Sequence, residues 1–385
     1  DTDVTGNTGY FFEAEDAADT NFVYLADTTR ILKYNAAGSA KQGTNVTVAG
    51  GVAGRPMFAN GKWYVPFGSG GLVRKGTTIG AGAIQTTDTW DALAGFNADA
   101  FTTFQIPAGP RFIRVNSTTR NQLDINSQAT DLTEAGWSLA WATVGDNSNP
   151  ITDVTEANGL LYAAKPEGLY EVDSEGISRL VTPFFPKASE DTENGKGLLS
   201  FGDSIFYPSA FGLWRYRIGV GAVPVGPDSI PSNWVAKARN RFITSAGEWL
   251  YLVYGTDIIV GRFRREGDPG LREIIWHGPY HGGTIRSLFV SSTARLFNQA
   301  SITISSLGLD IDGGPEITAG QSGGIGTAST SFDATLDLRD FGRPYELKQF
   351  RLMTVEARGW ASTRVSVEGA VFLEKGGAAA TIVGT

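Results

Sequence analysis

Apolar and polar positions alternate along most of this chain in short runs, and the runs come in pairs. Residues 157–176 read ANGLLYAAKPEGLYEVDSEG, where the apolar stretches LLYAA and GLYEV flank the turn residues of KPEG. Alternation over four to eight residues, bounded by Gly, Pro, Asn or Asp, marks half-buried strands joined by tight turns. The arrangement returns in FVYLADTTRILKY at 22–34, NGKWYVPFGSGGLVR at 60–74, GDSIFYPSAFGLWR at 202–215 and GEWLYLVYGTDIIVGR at 247–262. Each copy has a strand closing on an aromatic residue, a turn, and a second strand opening on an aliphatic one.

The spacing inside the copies is fixed. Tyr24 to Ile31, Tyr162 to Leu169, Phe206 to Leu213 and Tyr251 to Ile258 are all seven residues apart, and Tyr64 to Leu72 is eight. A constant offset in a hairpin is a register constraint, so these are equivalent hairpins. The anchors recur at intervals of 40, 44 and 45 residues, and the 98-residue gap from Tyr64 to Tyr162 holds FIRVNSTTRNQLDI at 112–125. SLFVSSTARLF at 287–297 supplies a last copy. Seven units of about 38–50 residues, each with two clear strands and room for two more, predict an all-β, seven-bladed β-propeller over residues 9–320. GYFFEAE at 9–15 is expected to close the ring by completing the blade at 285–320. One short helix is expected at 88–94, capped by Asp88 and stopped by Gly95, and another near 232–241.

Composition supports this pattern. Gly accounts for 49 of 385 residues and only 19% are charged, which favours turns over long helices with charged faces. Past the repeats, GGPEITAGQSGGIGTAST at 313–330 reads as a linker. FDATLDLRDF, LKQFRLMTVEAR and STRVSVEGAVFLE then predict a small β-sandwich-like domain at 328–385, incomplete as it stands. The chain begins Asp-Thr-Asp-Val and ends at Thr385, which suggests processing or a part of a longer product.

The C-terminal phrase LDLRDFGRPYELKQFRLMTVEARG, together with the repeated "NG-x-aromatic-Tyr…GL" hairpins, resembles bacteriophage virion proteins of the tail-tip and tail-fibre type. That resemblance implies a structural or adhesion role in a virion, acting by contact. Its partners would be other virion proteins, a host surface glycan or protein, and further copies of the chain. The alternative is a secreted, extracellular propeller that binds or cleaves carbohydrate. A quinone- or metal-dependent propeller enzyme is a third class, disfavoured by the scarcity of histidine.

Chemistry-bearing motifs are few. There is no Cys and there are two His, and no Gly-x-Ser-x-Gly elbow, Walker loop or His-Glu-x-x-His occurs. No catalytic residue, metal site or cofactor is therefore assigned. A net charge of −8 argues against nucleic acid, and no apolar run reaches the length of a membrane span, so no membrane insertion is expected. The tightest cluster is Trp276, His277, Tyr280 and His281, interleaved with Gly and Pro. It is expected to be a loop, either joining blades with its aromatics packed on the rim or binding a ligand, with rings to stack on sugars and imidazoles to bond hydroxyls. If that loop is exposed, replacing Trp276 or Tyr280 costs little stability. Paired axial carboxylates for glycoside hydrolysis stay open. Asp310-Ile311-Asp312 is an Asp-Gly turn rather than a calcium loop, because no acid follows at the required position. The stretch 190–194 is expected to be a solvated loop, and Arg262-Phe263-Arg264-Arg265 a guarded strand edge.

Overall fold

The computed structural model describes residues 9–38, 40–126, 131–183, 194–209, 212–226, 242–254, 257–263, 274–281, 285–300, 303–309, 367–371 and 380–384. Within them the paired runs form antiparallel sheets that follow one another along the chain. The first blade comprises β1 (Tyr10–Glu15), β2 (Asn21–Asp27), β3 (Arg30–Asn35) and β4 (Val46–Thr47). The second comprises β5 (Met57–Ala59), β6 (Lys62–Phe67), β7 (Gly71–Thr78) and β8 (Thr89–Ala92), with a one-turn helix α1 (Ile84–Thr87) before β8. The third holds β9 (Ala100–Ile106), β10 (Gly109–Val115), β11 (Gln122–Asn126) and β12 (Ser138–Thr143). The fourth is β13 (Asp153–Ala157), β14 (Leu160–Lys165), β15 (Gly168–Val172) and β16 (Ser178–Pro183). The fifth is β17 (Leu199–Phe201), β18 (Ser204–Ser209), β19 (Gly212–Arg217) and β20 (Gly221–Pro224). The sixth is β21 (Ile243–Ala246), β22 (Trp249–Tyr254), β23 (Asp257–Phe263) and β24 (Ile274–His281). A three-stranded sheet follows, made of β25 (Ile285–Val290), β26 (Arg295–Ala300) and β27 (Thr303–Gly308).

Among the described residues six four-stranded blades are complete, not seven. The strand expected to finish the last one is engaged elsewhere: β1 pairs with β2, with Phe12 opposite Tyr24 and their rings stacked 5.1 Å apart. The three-stranded sheet instead packs flank to flank against the first blade. Phe11, Val23, Leu25 and Phe297 share a core cluster there, the Gly9 amide donates to Gln299 Oε1, and Glu13 accepts from the amide and hydroxyl of Ser292. Among the described residues the ring closes by side-chain packing, with β1 kept in its own blade.

The fixed offsets follow from the cross-strand register, which makes the aliphatic residue seven on a diagonal neighbour of each aromatic on the facing strand. Tyr24 stands opposite Lys33, Tyr162 opposite Glu171, Phe206 opposite Arg215 and Tyr251 opposite Val260, nine residues on in every case. All four aromatics, and Tyr64, lie on the second strand of a blade, fully buried against the following sheet. The third blade breaks the pattern because β10 offers Ile113 and Val115 to its neighbour instead. Two of the turns explain the Asn-Gly pairs: Asn60-Gly61 and Asn158-Gly159 all have positive φ, between 52° and 75°, as two-residue hairpin turns of matching twist require.

The helix expected at 88–94 is strand β8, the outer strand of the second blade, and Trp90-Asp91 pair with Gly76 and Lys75. Trp90 lies edge-on to Phe12 and close to Tyr24, so a strand there buries an indole that a surface helix would expose. The helix expected near 232–241, the linker and Asp310–Asp312 lie outside the described residues. The chain divides between Ser329 and Thr330. In the second unit β28 (Val367–Val371) pairs antiparallel with β29 (Ala380–Gly384); the other segments of the expected sandwich lie outside the described residues.

Candidate functional site

The aromatic–histidine cluster is not a loop. Residues 274–281 form β24, the outer strand of the sixth blade, and its backbone register sets Trp276 opposite Gly261, His277 opposite Val260, Tyr280 opposite Ile258 and His281 opposite Asp257. A bulge lets Gly278-Pro279 stand opposite the single residue Ile259, so proline enters the strand without breaking the ladder. Trp276 is half-buried. Its indole donates to Val225 O at 2.7 Å, and a Cβ on Gly261 would come within 2.7 Å of its ring. The indole ties the fifth blade to the sixth. Trp276→Phe is expected to cost about 1 kcal/mol through the lost hydrogen bond, read as a lowered melting temperature.

Other sequence expectations are also revised. Arg262 and Phe263 lie on β23, which has a neighbour on each side and is no edge, while Arg264 and Arg265 lie outside the described residues. Arg262 stacks over Trp249 at 5.0 Å, and Phe263 lies parallel to Phe201 at 5.6 Å. Asn194 is fully buried rather than solvated, donating to Pro166 O, while its carbonyl accepts from Thr152 Oγ1; residues 190–193 of the expected loop lie outside the described residues.

The convergence that the pattern did not assign lies at the ring axis. The first strands of consecutive sheets neighbour one another, so residues that open those strands meet at one end of the central channel. Arg55, just ahead of β5, reaches Asp153 at the start of β13: Nε to Oδ1 is 2.7 Å and Nη2 to Oδ2 is 2.5 Å. Arg55 Nη2 also donates to Leu198 O at 2.8 Å, ahead of β17. Asp153 is fully buried and accepts further bonds from the amides of Val154, Gly197 and Leu198. Burial opposes the charge on Arg55, but Asp153 outweighs it and holds the guanidinium above its usual range. Tyr10 lies 6.0 Å from the guanidinium and edge-on to Phe242, completing this end of the channel.

A sequence signal for this site existed. Arg55 and Asp153 each stand nine residues ahead of an anchor aromatic, Tyr64 and Tyr162, as Gly197 and Phe242 do ahead of Phe206 and Tyr251. Equivalent repeat positions converge only once the ring is closed.

Between the ends of the channel lies a cavity of about 520 Å3, walled by Phe58, Trp63, Phe101, Phe242 and Phe289, with Thr102, Thr103, Thr244 and Glu13 among them. Away from the axis, buried charges are paired. Arg114 bonds Asp124 at 2.8 Å and Glu134 at 2.5 Å, between the rings of Phe96 and Trp137. Lys165 donates to Val144 O and Asp146 O and pairs with Glu167 at 2.8 Å. Among the described residues, no three acids or histidines gather closely enough to hold a metal ion.

No family model matches the sequence, and no curated protein matches it. Solved structures do match the fold. Virginiamycin B lyase from Staphylococcus aureus aligns at 9% identity with a TM-score of 0.51, over 78% of this chain and 94% of that one. The fold is a β-propeller. The extracellular domain of the two-component system BT4673 from B. thetaiotaomicron aligns at 13% identity and TM-score 0.51, over 78% of this chain and 38% of that one. BBS1N, solved in complex with ARL6DN, aligns at 10% identity and TM-score 0.50, over 82% and 97%. Identities this low speak for the propeller and not for an activity.

Proposed function

We propose that this propeller works by contact and not by turnover, as an adhesion or docking component of a larger particle. The sequence resemblance makes that particle a phage virion and the partners its other subunits or a host surface glycan. One observation carries the contact reading. The buried acid at the axis, Asp153, spends its oxygens on Arg55 and three backbone amides, so it holds the first strands of several blades together and offers no free carboxylate to a substrate. A rigid ring with wide loop faces suits such a role and needs no cofactor.

The test is to incubate the full chain with a panel of glycans and host envelope fractions, following both retention and released product. Retention without release is the expected result. Sustained release that disappears in Glu13→Gln would establish the carbohydrate-cleaving alternative instead.

A further inference from the structure

We propose that the axial channel, at the end opposite the Arg55–Asp153 pair, binds a neutral saccharide ring. The proposal rests on the contact reading above and gives that contact a ligand class and a place.

Two ends of one channel follow from the strand order. Residues that open the first strands, Tyr10, Arg55 and Phe242, close one end with the ion pair and an edge-on ring contact. Residues later on those strands, Glu13, Phe58, Thr103 and Phe289, line the other end, joined by Trp63 at the start of β6. The cavity of about 520 Å3 falls in the ordinary range for small-molecule sites.

The lining there is amphipathic. Phe58 is 54% exposed although its neighbours on β5, Met57 and Ala59, are buried, so its ring is offered outward. Trp63 sits 5.5 Å from Phe58 and is braced from behind by Phe12 at 4.6 Å, which fixes the indole plane. Braced rings of this kind present flat apolar faces at little entropic cost. Around them, the Thr103 and Thr244 hydroxyls and the Trp63 indole N–H make no hydrogen bond among the described residues. A sugar ring needs this combination: its C–H face packs on the aromatic ring while its hydroxyls exchange bonds with hydroxyls and a carboxylate.

Charge selects within that class. Arg55 is neutralised by Asp153, leaving Glu13 as the lining charge with no cationic partner among the described residues. Glu13 is positioned by Ser292, whose amide and hydroxyl donate to it at 2.7 and 2.9 Å. An acidic sugar would meet that carboxylate; a neutral polyol can donate to it.

The experiment is calorimetric titration of the full chain with neutral mono- and oligosaccharides, and with uronic and sialic acids as comparators. Phe58→Ala and Thr103→Trp are tested in parallel, the first removing an exposed ring and the second filling the channel mouth. The expected result is binding of a neutral sugar that weakens about tenfold or more in both variants while their melting temperatures hold. Absence of binding by every neutral sugar, or a preference for the acidic ones, overturns the proposal. Binding that both variants leave unchanged also overturns it, while contact with a glycan at another surface would survive. Cleavage of the sugar that depends on Phe58 would keep the site and end the contact reading.

Discussion

Replacing Asp88 by alanine is expected to destabilise the protein by about 3–5 kcal/mol, the scale for stripping a partner from a buried ion pair. Lys33 and Asp88 are both fully buried, with Nζ 2.7 Å from Oδ1. Asp88 also accepts from the Tyr24 hydroxyl at 2.7 Å and from the Gly80 amide at 3.1 Å. Burial, reinforced by the Asp88 charge, pushes the Tyr24 hydroxyl well above its usual range, so it remains a donor. Without Asp88 the Lys33 ammonium loses its counter-charge and keeps only the Gly80 carbonyl, and the Tyr24 phenol loses its acceptor, where water does not reach. The helix cap that the sequence suggested for this residue would be worth only about 1 kcal/mol, so the size of the loss separates the two roles. Thermal melts of Asp88→Ala, Lys33→Met and the double variant measure it. The double variant should recover much of the loss, because a well-packed apolar pair can replace a buried ionic one. A single-variant loss of the order of a helix cap would mean that Lys33 finds water.

Phe206→Ala and Tyr251→Ala should each cost about 3–5 kcal/mol, as large-to-small changes in a packed core do. Both side chains are fully buried between consecutive sheets, Phe206 against Leu250 and Leu252 of the next blade, Tyr251 against Leu288 and Leu296 of the three-stranded sheet. Phe58→Ala, at an exposed position on the same ring, should change the melt little. Were Phe58→Ala the more damaging substitution, the equivalence of the anchor aromatics would be lost, and with it the repeat.

The repeat was legible because it is local. Register within a hairpin depends on turn length and on which residues must face the core, and both are written in some fifteen consecutive residues. The offset from Tyr162 to Leu169, and the Asn-Gly turns, were therefore readable. Where the local signal was ambiguous, reading failed. DTWDALA carries a cap-like Asp and a trailing Gly, yet Trp90 gains more by packing beside Phe12 and Tyr24 than a solvated helix could give it. Likewise Gly278-Pro279 read as a loop, because a bulge that absorbs them requires a partner strand already in place.

The sequence by itself determined the hairpins, their register and the aromatic that anchors each of five of them. Tertiary structure decided everything that joins residues from different blades. It set β1 beside β2, where Phe12 packs on Tyr24, and joined the last sheet to the first blade through Phe11 and Phe297. It brought Arg55 to Asp153, 98 residues away, and Lys33 to Asp88, 55 residues away. A charge in the sequence carries no label for its partner. Only closure of the ring places two such charges within hydrogen-bonding distance, and desolvation then makes each depend on the other.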